Sequence, residues 1–164
     1  MLRSLLLTIS LIALALLGGS LPAEASACPH VDWGSLEKAN LVQGSDTITG
    51  VRAGQDGCFD RLVFDVRGTR PGYDVKYVNV VTDVAAGRPL NVPGGARISI
   101  AVFDNAANSR TPNVTGFPTF RSVVYGGSFE AVTIYGLGVR ARLPFRVFTL
   151  PNPSRLVIDV ARTW

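Results

Sequence analysis

Apolar and polar residues take turns at a period of two along much of the chain. In Arg61–Val66, RLVFDV, residues Leu62, Phe64 and Val66 share one side, and Arg61, Val63 and Asp65 the other. The stretch returns 94 residues later as Arg155–Val160, RLVIDV, where Leu156, Ile158 and Val160 oppose Arg155, Val157 and Asp159. Such alternation with β-branched residues predicts half-buried strands. Gly50-Val51-Arg52-Ala53 precedes the first hexad and Gly138-Val139-Arg140-Ala141 the second. Each half is therefore expected to carry a hairpin of the form GVRA, loop, RLVxDV, and duplication would place two related sheets face to face. The competing reading is that two strands share letters by chance.

Further strands are predicted at Asp46–Arg52, Asp74–Val81 and Arg97–Phe103, the last with Ile98, Ile100 and Val102 inward. Arg121–Tyr125 and Phe129–Tyr135 flank Gly126-Gly127-Ser128, which reads as a hairpin turn, with Val132 and Ile134 inward. Leu143, Phe145 and Val147 continue the core, and Pro144 makes that strand an edge. Only Ser35–Asn40 looks helical, for one or two turns. With 17 Gly and 10 Pro as punctuation, the pattern predicts an all-β fold, a pseudo-symmetric β-sandwich of two small facing sheets with at most one short helix. Asp104–Phe120 is the longest stretch without a strand pattern, and loops of this length are usually functional or disordered. Its Asn113-Val114-Thr115 triplet is a glycosylation sequon only in a eukaryotic secretory pathway.

The N-terminus breaks the pattern. Arg3, an apolar run Leu5–Leu17 and the small-residue tail LPAEASA ending at Ala27 have the layout of a signal peptide, with cleavage expected after Ala27. The run is shorter than the roughly 20 residues that span a bilayer, so the chain is not expected to cross a membrane. Cleavage leaves 137 of the 164 residues, enough for one core. The expected organisation is residues 1–27 as signal peptide, 28–45 as a tethered N-terminal segment and 46–164 as the sandwich. Cys28 and Cys58 are the two cysteines. Export makes a disulfide between them the expected use, while ASAC also faintly matches the box that directs lipid attachment to a cysteine, here Cys28. The net charge is +4, carried by 14 Arg and 2 Lys. Arginine forks suit carboxylates or phosphates of an anionic wall polymer, and a GC-rich genome explains the same bias. The cations are spread out and no nucleic-acid module is present, so DNA and RNA are not expected partners.

Read together, VRAGQDGCFDRLVFDV, GYDVKYV, TFRSV, SFEAVTIYGLGVRARLPFRVF and PSRLVIDVA resemble the AMIN-like domain proteins of actinobacteria, collinearly from about Trp33 to Trp164. That family is named for its similarity to the AMIN domain, a β-sandwich found in exported cell-wall amidases and secretin components, where it binds peptidoglycan and localises its host. The resemblance implies a non-catalytic module of the cell envelope.

The residues agree in offering little chemistry. The one histidine, His30, stands beside the expected mature N-terminus, so a nucleophile-histidine centre has almost nothing to build on. Two Cys and one His fall short of a zinc site, and no metal or cofactor is expected. A carboxylate pair is the remaining enzyme hypothesis, with Asp65 and Asp159 as suspects. They read more readily as structural ion pairs with arginines of neighbouring strands, such as Arg140 or Arg142. For binding, Tyr73 with Tyr77 and Tyr125 with Tyr135 offer aromatic surfaces, and Arg121, Arg140 and Arg142 lie near them in sequence; the alternative is that the rings cover the core edge. Three functions stay open: binding of peptidoglycan or another wall polymer, docking of an envelope protein on a strand edge, and a small carboxylate-dependent hydrolase.

Overall fold

The alternating stretches become strands of a two-sheet sandwich. The computed structural model describes residues 28–43, 47–106 and 109–164; the expected signal peptide and Asp46, where the sandwich was expected to start, lie outside them. The strands are β1 (Lys38–Asn40), β2 (Thr47–Gln55), β3 (Phe59–Arg67), β4 (Tyr73–Val78), β5 (Ala96–Val102), β6 (Asn105–Ala106), β7 (Phe120–Phe129), β8 (Val132–Val139), β9 (Phe145–Leu150) and β10 (Arg155–Ala161). One sheet has the order β1-β4-β5-β8-β7 and the other β6-β2-β3-β10-β9. Pairing is antiparallel throughout except for the two-residue β6, which runs parallel to β2. The described residues contain no helix. Ser35–Asn40, expected to be helical, is a bend followed by β1, whose backbone finds partners on the open edge of β4, Lys38 opposite Val75 and Asn40 opposite Tyr73.

The two hexads do not sit in facing sheets. They are adjacent strands of one sheet, β3 against β10, with Arg61 opposite Asp159, Leu62 opposite Ile158, Val63 opposite Val157, Phe64 opposite Leu156 and Asp65 opposite Arg155. Run antiparallel, the hexad is its own complement in register: opposite charges stand across the ladder at both ends, of which Arg61 and Asp159 form an ion pair, and apolar residues face each other between them. The hairpin expected of the first half forms between β2 and β3. The second does not, because Gly138-Val139 closes β8 in the other sheet, and β10 pairs with β9 instead.

Leu62, Phe64, Leu156 and Ile158 are fully buried between the sheets with Val75, Ile98, Ile100, Leu137 and Phe145. Aromatic pairs cross the interface edge to face, Phe64 on Tyr135 at 5.0 Å and Tyr77 on Phe145 at 5.6 Å. Leu143 and Phe145 are buried and Val147 packs on the core as expected, with β9 at a sheet edge. Val132 and Ile134 are not inward, since Tyr135, Leu137 and Val139 take the core parity of β8. The hairpin turn is Glu130-Ala131, both with positive φ, and not Gly126-Gly127-Ser128, which lies within an irregularity of β7. Gly126 serves close packing there: a Cβ would sit 2.9 Å from Ile134 and from Leu90.

The outer faces of the sheets differ. The β4–β5 connection lies over the outer face of its own sheet, burying Val81 and Val92, and Gly136 leaves room for it, since a Cβ there would sit 2.6 Å from Val92. The outer face of the β2-β3-β10-β9 sheet carries arginines and aromatic rings instead. The long 104–120 stretch is pinned at its far end by Asp60, a buried carboxylate that accepts from the Thr119 and Phe120 amides at 2.6 and 3.0 Å. Cys28 and Cys58 form a disulfide, fastening the N-terminal segment to the start of β3.

Candidate functional site

The outward positions of β3, β9 and β10 meet around Asp159. Alternation that buries Ile158 and Val160 turns Asp159 away from the core, yet its side chain is 0% exposed. Arg61, directly across the ladder, grips it with Nε at 2.6 Å and Nη2 at 2.8 Å, and Arg146, across from it on β9, adds Nε at 2.8 Å. The hydrogen bond to Asp159 raises the Arg61 pKa above its ordinary value against the opposing effect of burial. Aromatic rings wall in this charge cluster. The Arg146 guanidinium lies 4.3 Å from the Trp33 ring centroid and 5.3 Å from that of Phe148, while Arg61 lies 5.0 Å from Phe59. Trp33 meets Phe59 edge to face at 5.9 Å, brought there by the segment that the disulfide fastens. Further along the same face Arg52 forks onto Asp65 at 2.9 and 3.0 Å.

Asp65 and Asp159 are thus in ion pairs, with Arg52, and with Arg61 and Arg146. Arg140 and Arg142, expected as their partners, are engaged elsewhere. Arg140 follows the last residue of β8, in the other sheet, and donates to the Arg162 carbonyl; Arg142 donates to Ser35 Oγ at 3.2 Å and Ser35 O at 3.3 Å. Arg121 caps the turn before β7, with Nη1 2.9 Å from the Phe117 and Phe120 carbonyls.

The tyrosines turn inward. Tyr135 is fully buried and meets Tyr125 edge to face at 5.3 Å, so Tyr135 offers no surface to a polymer. Burial, with a smaller effect of Tyr125, pushes its hydroxyl up to about 12. Tyr73 and Tyr77 are half-buried against the core, and burial raises both hydroxyls. The seven residues expected to bind do not form one surface, because the parity that makes a tyrosine legible on a strand also points it at the core. Tyr77 and Arg142 do come together, in a groove of about 510 Å³ also lined by Val78, Asn79, Gly95, Ala96 and Arg97.

Sequence reasoning missed Trp33, Phe59, Arg61, Arg146 and Phe148 as a group. Alternation puts Arg61, Arg146 and Phe148 on outward positions, but nothing in it says that β9 and β3 flank β10 or that Trp33 folds onto them. Among the described residues no three His, Cys, Asp or Glu side chains could hold a metal together. No curated protein and no solved structure matches the chain. A family model does, that of the AMIN-like domain, over residues 46–162.

Proposed function

Because this chain belongs to the AMIN-like domain family, we propose that it is an exported, non-catalytic cell-envelope domain that binds peptidoglycan or another wall polymer on the outer face of the β2-β3-β10-β9 sheet. Family membership supports a cell-wall-related, non-catalytic role. The disulfide supports an extracytoplasmic one, since thiols stay reduced in the cytosol. The observation that carries the choice of surface is the joint presentation of Trp33, Phe59 and Phe148 with Arg61 and Arg146 on one sheet face. Half-buried rings offer apolar area to sugar faces, and the guanidinium N–H groups that Asp159 does not take offer donors to sugar hydroxyls. The hydrolase reading loses its suspects, because Asp65 and Asp159 are both committed to guanidiniums.

The test is retention on purified sacculi at low and at high salt, comparing the wild type with Phe148→Ala and Trp33→Ala. Retention that falls with salt and drops about fivefold or more in the variants supports the reading. Absence of retention even at low salt rejects the wall polymer as ligand.

A further inference from the structure

We propose that the side of the sandwich formed by β1 and β9 is an interface at which a second copy of this chain adds its own β9, antiparallel, so that one sheet runs across two molecules. The proposal does not depend on the polymer-binding reading. The two sheets end in β1 and β7 and in β6 and β9, and the first three of these edge strands are blunted. β1 has three residues and β6 two, and β7 is interrupted between Tyr125 and Ser128, where Gly126 O also accepts from the Val84 amide at 2.9 Å. β9 has six residues in unbroken register with β10. An edge strand of that kind presents its outward backbone groups as a template for another strand.

The ladder tells which groups those are. Pro144 O accepts from Ala161 N, and the same parity turns the backbone groups of Arg146, Phe148 and Leu150 toward β10. Phe145, Val147 and Thr149 therefore turn theirs to the open side, where the Phe145 amide donates to Gly34 O at 2.9 Å. Among the described residues the amides and carbonyls of Val147 and Thr149 have no partner there. A two-fold axis at Phe148 sets Val147 opposite the partner's Thr149, and Thr149 opposite the partner's Val147, each pair exchanging both N–H···O bonds. Phe148 then stands across from its own copy in the close, non-hydrogen-bonded position, an aromatic cross-strand pair.

Exposed apolar residues on the same side follow the same symmetry. β1 faces β9 across the sandwich, Lys38 Nζ lying 4.4 Å from the Phe145 ring centroid. The two strands run in the same direction, because Asn40 is opposite Tyr73 while residues 68–70, just before Tyr73, share a pocket with Pro151 at the end of β9. Leu36 stands before β1 and Leu41 and Val42 after it, 77%, 70% and 58% exposed. The axis that pairs the two β9 strands thus turns the Leu41–Val42 end of one copy toward the Leu36 end of the other. A foreign strand can pair with the same backbone groups, but the match of Phe148 to itself and of one apolar end to the other is a property of this chain with itself.

Sedimentation equilibrium from about 1 µM to about 1 mM decides it. The mean mass is expected to climb with concentration to twice that of the monomer. Thr149→Pro removes an outward amide without touching the β9–β10 ladder, and Leu41→Glu puts a charge at the apolar end. Each is expected to raise the dissociation constant about tenfold or more, since the symmetry makes every loss count twice. Melting temperatures equal to that of the wild type at about 1 µM, where all are monomers, verify the folds. Under mild oxidation Phe148→Cys should form an intermolecular disulfide, whereas Leu150→Cys, which faces the partner's Arg146, should not. A monomer at every concentration overturns the proposal, even one that captures a foreign extended peptide on β9. So does a dimer that neither Thr149→Pro nor Leu41→Glu weakens, or crosslinking as fast in Leu150→Cys as in Phe148→Cys.

Discussion

Asp65 and Asp159 hold equivalent places in the same hexad but carry unequal loads. Asp159 is sealed under two arginines and three rings, and Asp65 keeps a third of its side chain in water with one arginine. Removing one member of a buried ion cluster strands the others, so Asp159→Ala is expected to cost about 3 to 5 kcal/mol. An exposed pair contributes little, and Asp65→Ala should cost less than about 1 kcal/mol. Urea denaturation of the two variants side by side checks the contrast. Tyr135 makes the opposite case, a hydroxyl in the core with no hydrogen-bond partner. Its pKa is raised from 10.0 to about 12, burial being the larger cause. The unfolded chain therefore loses this proton first, and the stability tied to the protonated ring is complete below pH 10 and lost as pH rises through about 12. Tyr135→Phe is expected to raise stability by about 1 kcal/mol at neutral pH and to flatten that alkaline decline. Thermal melts across that pH range read both effects.

At the scale of elements, the chain writes RLVxDV twice in strands that complement each other when run antiparallel, arginine opposite aspartate at each end, with Arg61 and Asp159 joined as an ion pair and Asp65 taken by Arg52 of β2. Duplication into facing sheets is the wrong geometry for that complementarity, since charges in facing sheets would have to meet across an apolar core. The β7–β8 hairpin shows a different conflict. Its two central residues, Glu130 and Ala131, have φ of 48° and 58°, a left-handed conformation that costs a residue with a Cβ roughly 1 kcal/mol or more. Gly126-Gly127 looked like the turn because glycine is the usual occupant of such positions. Glu130→Asn with Ala131→Gly is expected to stabilise the hairpin by about 1 kcal/mol, a rise of a few degrees in melting temperature by scanning calorimetry. A lower melting temperature would show that Glu130 or Ala131 holds the turn in another way.

At the scale of the molecule, the sandwich is closed by a segment that belongs to neither hexad. Residues 28–40 run from the disulfide, lay Trp33 on the outer face of one sheet, bind Arg142 through Ser35 and end as the edge strand of the other sheet. Opening the bridge frees a loop of sequence separation 30 in the unfolded chain, and Cys28→Ser with Cys58→Ser is expected to cost about 3 kcal/mol. Chemical denaturation of the double variant measures this, and intact mass about 2 Da below the reduced value verifies the bridge in the wild type. Much of this architecture was legible in the chain alone. Period-two alternation predicted the strands that bury Leu62, Phe64, Leu156 and Ile158, and two cysteines in an exported pattern predicted their pairing. Such features are local, or depend on counting, and need no knowledge of neighbours. Which strands lie side by side is a different kind of fact. It depends on long-range pairing energies that compete across the whole chain, and those put the hexads in one sheet, gave Asp159 its second arginine from β9, turned the tyrosines inward and left β9 as an edge of its sheet.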